Sequence, residues 1–279
     1  MNAMVLLSVA SAFFMGTNQE VVQSFNNKCD NFFFQNTEPA GFENNYEYIC
    51  QVYNNQNRYA TLFDQQNLIP VYSAYIYQDN NCTNRMDSWK LEPQLADSSW
   101  PKEMMTIIEL VNKTKLPLET VEPKIEATQA VREDYVNSGF DIGHLNPVCH
   151  QNGADNKTAT CTFTNAAPMP HGFNVRWFHQ YENLIRKNLS QQCHQGSVFI
   201  VTGTIPDSTQ KIKNRVSIPS VVWSAMCCQM NNGSYLSIAA YGINTDTGTI
   251  DTTLTVAQLN IYLSRAFGST VSIFNSTLC

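Results

Sequence analysis

The run Asp141-Ile142-Gly143-His144 holds the side chains best suited to proton transfer in this chain. A neutral imidazole accepts a proton from water and titrates near working pH, so His144 has the chemistry of a general base. Its second ring nitrogen needs a partner that fixes the tautomer. Asp141 adds a carboxylate three residues upstream. The same four residues also suit a turn in which the His makes only local hydrogen bonds, so the run alone leaves both readings open.

His144, Cys149, His150 and Cys161 form a second cluster of potential metal ligands. Their spacing matches no common zinc module, and an adjacent Cys-His pair rarely binds one ion. Cys149 and Cys161 are better read as disulfide partners, of each other or of distant Cys. His150, His171, His179 and His194 are expected on the surface or on a helix face. The sequence has no G-x-S-x-G elbow, P-loop or dinucleotide fingerprint, so serine hydrolase, NTPase and dehydrogenase chemistry have no support.

The elements around these residues are partly legible. After Pro170 and Gly172, Trp177, Phe178, Tyr181, Leu184 and Ile185 form an apolar helical stripe, with Arg186 and Lys187 suited to the helix C-terminus. Asn174 caps or opens that helix. Residues 68–77, 196–205, 220–228 and 234–241 are β-branched and aromatic and read as strands. Residues 255–267 carry apolar side chains at helical spacing. Residues 17–66 read as loops with short helices, and residues 79–105 as loop anchored by Trp89 and Trp100. Residues 111–135, interrupted by Pro117 and Pro123, read as a surface excursion. Without a regular βαβ alternation, these elements predict an α+β domain on a mostly antiparallel sheet.

Composition narrows the setting. The 279 residues are 43% hydrophobic and only 14% charged, so the chain folds, and Asn, Gln, Ser and Thr supply much of its polar surface. A formal net charge of -6 excludes a protein that grips nucleic acid by bulk positive charge. The nine Cys are dispersed without a C-x-x-C pair, which predicts long-range disulfides, an oxidising compartment and one odd thiol. Met4 to Met15 is an apolar run too short to span a bilayer, and residues 1–19 read as a signal peptide ahead of one domain over 20–279. Sequons at Asn81, Asn112, Asn156, Asn188, Asn232 and Asn275 are potential glycan acceptors in a secreted glycoprotein.

The order of motifs then carries a resemblance. Asp141-Ile142-Gly143-His144 is similar to a D-R-G-H motif, and Thr164-Asn165-Ala166-Ala167-Pro168 to a T-N-x-x-P segment. Asn174 and, eight residues on, Glu182 complete the order. Upstream, Asn84-Arg85, Trp89-Lys90 and Glu92-Pro93 resemble a basic R-x-W-K-x-x-P segment. This set resembles the DNA/RNA non-specific endonucleases of the ββα-metal (His-Me finger) class. Residues 59–64, 70–75 and 219–223 with the paired Cys227/Cys228 resemble its endonuclease domain-containing 1 group.

The resemblance implies a magnesium-dependent nuclease acting on DNA and RNA. His144 would be the base and Asn174 the Mg2+ ligand. Glu182, about 12 Å further along an α-helix, would hold water of the cation rather than the cation itself. Arg85 would meet the phosphate, and Asn165 would position the hairpin or the base. Ile142 stands where the family has Arg, which implies weakened activity, with Arg132 or Arg176 as substitutes for the lost charge. The alternative is an inactive nuclease fold kept as a binding module.

Overall fold

The computed structural model describes residues 20–42, 44–78, 82, 88–207, 209–274 and 276–279. The expected signal peptide, Arg85, and the sequons at Asn81 and Asn275 lie outside the described residues. The strands are β1 (Val21–Val22), β2 (Glu47–Tyr53), β3 (Gln56–Asp64), β4 (Ile69–Ile76), β5 (Phe140–His144), β6 (Ala166–Pro170), β7 (Cys193–Ile205), β8 (Lys211–Ile212), β9 (Val216–Ser217), β10 (Val221–Met230), β11 (Tyr235–Ile243) and β12 (Ile250–Leu254). The helices are α1 (Pro93–Ala96), α2 (Ile107–Thr114), α3 (Leu118–Glu126), α4 (Arg132–Tyr135), α5 (Ala154–Thr160), α6 (His171–Trp177) and α7 (Val256–Phe267).

Eight strands form one sheet in the order β1-β2-β3-β4-β7-β10-β11-β12, every pair antiparallel. Because strand side chains alternate, the sheet feeds two cores. Tyr75, Ile200, Val222, Met226 and Cys228 point to the front, under α6 and the segment of α1 to α4. Ala74, Val201, Trp223, Ala225 and Cys227 point to the back, under α7 and the N-terminal aromatics. Adjacent Cys227 and Cys228 therefore fasten opposite faces: Cys227 pairs with Cys279 and Cys228 with Cys193. Cys29–Cys50 lies at the back.

Two stretches read as irregular are ordered elements. Residues 47–64 form the β2–β3 hairpin, turned by Asn54 and Asn55, both at positive φ (51° and 58°). That geometry is the hairpin turn whose twist matches the strands. Residues 107–135 are a packed helical segment, not a surface excursion: Leu110, Val121 and Ile125 are fully buried. Pro117 sits at the N-cap of α3, where a missing N–H costs no helical hydrogen bond. Among the described residues no helix is long and apolar enough to cross a membrane.

Candidate active site

The strands β5 and β6 form a hairpin that runs straight into α6, a β-β-α unit on the front of the sheet. The register pairs Asp141 with Met169, Gly143 with Ala167 and His144 with Ala166. Gly143 is required there, because a Cβ would overlap the Met169 side chain. The hairpin and helix open one cleft of about 450 Å³, lined among others by Asp141, Ile142, His144, Asn174 and Glu182. Four of the proposed site residues thus share a cavity.

The helix explains how Asn174 and Glu182 share it. Eight residues of α-helix end about 80° away from the start. After Trp177 the chain passes through a π-helical turn over Phe178–Glu182 and a second over Ile185–Leu189. A π turn holds more residues, so it takes out much of that offset. The same effect shows in the buried stripe Phe173, Trp177, Tyr181 and Ile185, spaced by four and all at most 1% exposed. On a pure α-helix the twelve-residue span would drift about 120°. Stacking along the stripe holds it: Phe173–Trp177 centroids are 5.9 Å apart and Trp177–Tyr181 4.9 Å. Asn174 lies inside the helix, and Pro170 is at the N-cap, so Asn174 is not its capping residue.

Asp141 orients the helix side of the cleft. Its Oδ2 accepts from Asn174 Nδ2 at 3.0 Å and pairs with His171 Nδ1 at 2.9 Å. With its amide nitrogen engaged, Asn174 keeps its oxygen as an acceptor. Glu182 is almost fully buried, and burial raises its carboxyl to about 8. No Lys or Arg is among the described residues that line the cleft. Oxygen donors with no Lys or Arg beside them among the described lining residues fit a hard divalent cation.

Asn165 staples the hairpin from beneath. Its Oδ1 accepts from Asn146 N at 2.9 Å, and its Nδ2 donates to Asn146 O at 3.0 Å and Thr160 O at 2.9 Å. Its backbone carbonyl accepts from Leu145 N at 2.9 Å. The side chain is fully buried, so it acts on the frame around His144 and not on a ligand.

Several expectations change. Cys149 pairs with distant Cys82, while Cys161 takes part in none of the four disulfides. Cys161 Sγ instead lies 3.7 Å from His144 Nε2, a neighbour that a separation of 17 residues does not announce. Trp89 packs on the same imidazole at 4.9 Å between centroids. His150 is fully buried, not on a surface: its Nδ1 meets Tyr75 Oη at 3.0 Å and its Nε2 meets Glu182 O at 3.1 Å. Burial pushes its pKa down to about 4. Arg176 does not replace the missing arginine, because its guanidinium binds the carbonyls of Thr245, Asp246 and Gly248. Arg132 is exposed beside Glu122 and Glu133, in a groove separate from the cleft.

The model of a family described as DNA/RNA non-specific endonuclease matches residues 120–270. The endonuclease domain-containing 1 protein of Homo sapiens is 33% identical over 210 residues, covering 75% of this chain and 40% of that protein. Its counterpart in Mus musculus is 32% identical over 203 residues, covering 72% and 38%. The chain therefore spans well under half the length of these relatives. A crystal structure of the EndoG/EndoGI complex, on the mechanism of EndoG inhibition, overlays with a TM-score of 0.51 at 16% identity, covering 76% of this chain and 81% of that one. That overlay supports the ββα-metal fold. With its β-β-α unit inside the matched residues, the chain belongs to the DNA/RNA non-specific endonuclease family.

Proposed function

We propose that this chain is a secreted, divalent-cation-dependent endonuclease that hydrolyses phosphodiester bonds of DNA and RNA with low sequence selectivity. The observation that carries the reading is the convergence of Asp141, His144, Asn174 and Glu182 on one cleft. His144 takes a proton from the attacking water. A new P–O bond forms as the P–O3′ bond breaks. Asn174, through its oxygen, and Glu182, facing the hydration shell, would hold the cation, with Mg2+ the expected ion. When bound, the cation supplies charge stabilisation at the phosphate and the leaving oxygen. Asp141 keeps the Asn174 amide in one orientation. Asn165 holds the strand that carries His144.

Arg85 is the proposed phosphate contact. In the sequence it follows Cys82, which lines the cleft, by three residues. Low selectivity follows from a site that addresses phosphate, since phosphate contacts carry no direct sequence information. Secretion is supported by the four disulfides. Asn112 and Asn232 are exposed and suit glycans. Asn156 suits one less well, because its amide nitrogen already donates to Gln78 Oε1 at 3.0 Å.

A binding module is the second reading, favoured by Ile142, an apolar residue in the cleft where the family carries Arg. The test is incubation of the purified chain with supercoiled plasmid and with single-stranded RNA in Mg2+, with and without EDTA. The nuclease reading expects nicking and RNA fragmentation that EDTA stops. Retained binding without cleavage would favour the module.

A further inference from the structure

One buried imidazole joins the central sheet to the helix that carries Glu182. His150 is fully buried in the short helical turn Val148–His150. Its backbone is tied on both sides: its N–H donates to Pro147 O at 2.9 Å, and its carbonyl accepts from Gln78 N at 2.9 Å. The preceding Cys149 is held by its disulfide to Cys82. The ring packs against Tyr75, near the end of β4, and Tyr77 just beyond it, with centroids 6.0 and 5.1 Å away.

The two ring nitrogens meet different elements. Nδ1 lies 3.0 Å from Tyr75 Oη, and Nε2 lies 3.1 Å from Glu182 O. Burial lowers the pKa of His150 to about 4, so at working pH the ring is neutral, with one donor and one acceptor nitrogen. A carbonyl oxygen only accepts, so Nε2 carries the hydrogen and Nδ1 accepts from the Tyr75 hydroxyl. Glu182 is the last residue of the π-helical turn Phe178–Glu182. Such turns are rare insertions in an α-helix and recur at functional sites. Here a donor from outside the helix reaches the carbonyl at the end of the turn. The contacts therefore run from a central strand of the sheet, through the imidazole, to the backbone of the residue whose side chain lines the cleft.

We propose that His150 is a positioning residue for Glu182: its Nε2–H holds the carbonyl that ends the π turn, and so fixes where the Glu182 carboxyl enters the cleft beside Asn174. The proposal rests on the reading of Asn174 and Glu182 as the pair that holds the cation. Groups one bond behind a metal-binding side chain orient it, and their loss weakens metal binding about 10- to 100-fold. Phe at position 150 keeps a ring in the space but removes both hydrogen bonds. Gln at position 150 offers an amide N–H in place of Nε2–H.

The test uses the full chain, with Mn2+ alone as the probe of the cation site. Mn2+ binding, read by the loss of the free-ion electron paramagnetic resonance signal, should weaken about tenfold in His150→Phe, and His150→Gln should recover most of the affinity. Amide hydrogen exchange should quicken over residues 178–189 in His150→Phe, with β10 and β11 unchanged, and return toward wild type in His150→Gln. Unchanged exchange over 178–189 in His150→Phe overturns the proposal. So does faster exchange with unchanged Mn2+ affinity, or a loss that His150→Gln shares in full. If His150→Phe does not fold, long-range 1H–15N NMR of the wild-type ring decides: the Nε2–H tautomer supports the proposal and the Nδ1–H tautomer overturns it. If none of the proteins binds Mn2+, the cation reading fails, and the exchange result alone decides whether His150 holds the turn.

Discussion

The two faces of the central sheet are finished differently. The back is closed by aromatic rings: Phe42 stacks on Trp223 at 6.1 Å and meets Tyr72 and Phe267 edge-on, and Phe34 meets Phe199, Tyr235 and Phe274. Two disulfides lie there. On the front, a row of hydroxyls crosses four paired strands at one level, Thr61, Ser73, Thr202 and Ser224. Thr61 and Ser73 bond at 3.0 Å and Thr202 and Ser224 at 2.7 Å. Gln51 Nε2 donates to Thr61 at 3.2 Å and to Thr164 at 2.9 Å, and Thr162 and Thr164 donate to Glu92 Oε1 at 2.8 and 2.9 Å. Apolar packing is non-directional and supplies stability, whereas buried hydrogen bonds fix angles and distances. The back stabilises the sheet; the front sets the geometry of the hairpin that carries His144.

Substitutions on the two faces should separate stability from rate. Phe42→Ala should cost about 3–5 kcal/mol of stability by denaturant unfolding, with turnover per folded molecule unchanged. A loss of turnover in the folded fraction would break the division between the faces.

The front should also carry the pH dependence, in two opposite senses. His150 is buried with its pKa lowered to about 4. The unfolded chain therefore takes up that proton first. The stability this His contributes is present above its ordinary value and is lost as pH falls toward about 4, by about 3 kcal/mol. Glu182 is raised to about 8. It contributes stability below its ordinary range, and that stability is lost as pH rises toward 8 in the absence of a cation. Unfolding measured from pH 4 to 8 in EDTA should show both limbs. Glu182→Gln should remove the upper one, and added Mg2+ should oppose it in wild type.

Asn165→Ala should cost about 1–3 kcal/mol, because it leaves buried groups of Asn146 and Thr160 unsatisfied. Unlike Phe42→Ala, it should also slow nicking by the molecules that remain folded. The smallest effect expected is a gain: Ile142→Arg should raise the nicking rate several-fold, the worth of one charge-assisted contact to phosphate. No gain would remove Ile142 as a brake on the enzyme.

The division between the faces also explains what could be read from the sequence. Strands β4, β7, β10 and β11 and helix α7 show in the apolar pattern because their buried positions are mostly apolar. The β2–β3 hairpin escaped because Gln51 and Thr61 occupy interior positions, so polar side chains interrupt the alternation. Its one local signal was the Asn54-Asn55 pair at the turn. The order of Asp141, His144, Asn165, Asn174 and Glu182 was legible as a motif. The π turn that brings Asn174 and Glu182 to one cleft was not, since no single residue encodes it. The approach of Cys161 to His144 depends on where α5 ends against β5, and the Cys149–Cys82 disulfide joins positions 67 residues apart.

The most direct measurement is the single-turnover rate of plasmid nicking in Mg2+ for wild type and for His144→Ala, with matched thermal melts to show that both are folded. With His144 as the base, the variant should be slower by about 100-fold or more at equal melting temperature. Equal rates from the two folded proteins would contradict the assignment of His144 as the group that activates water.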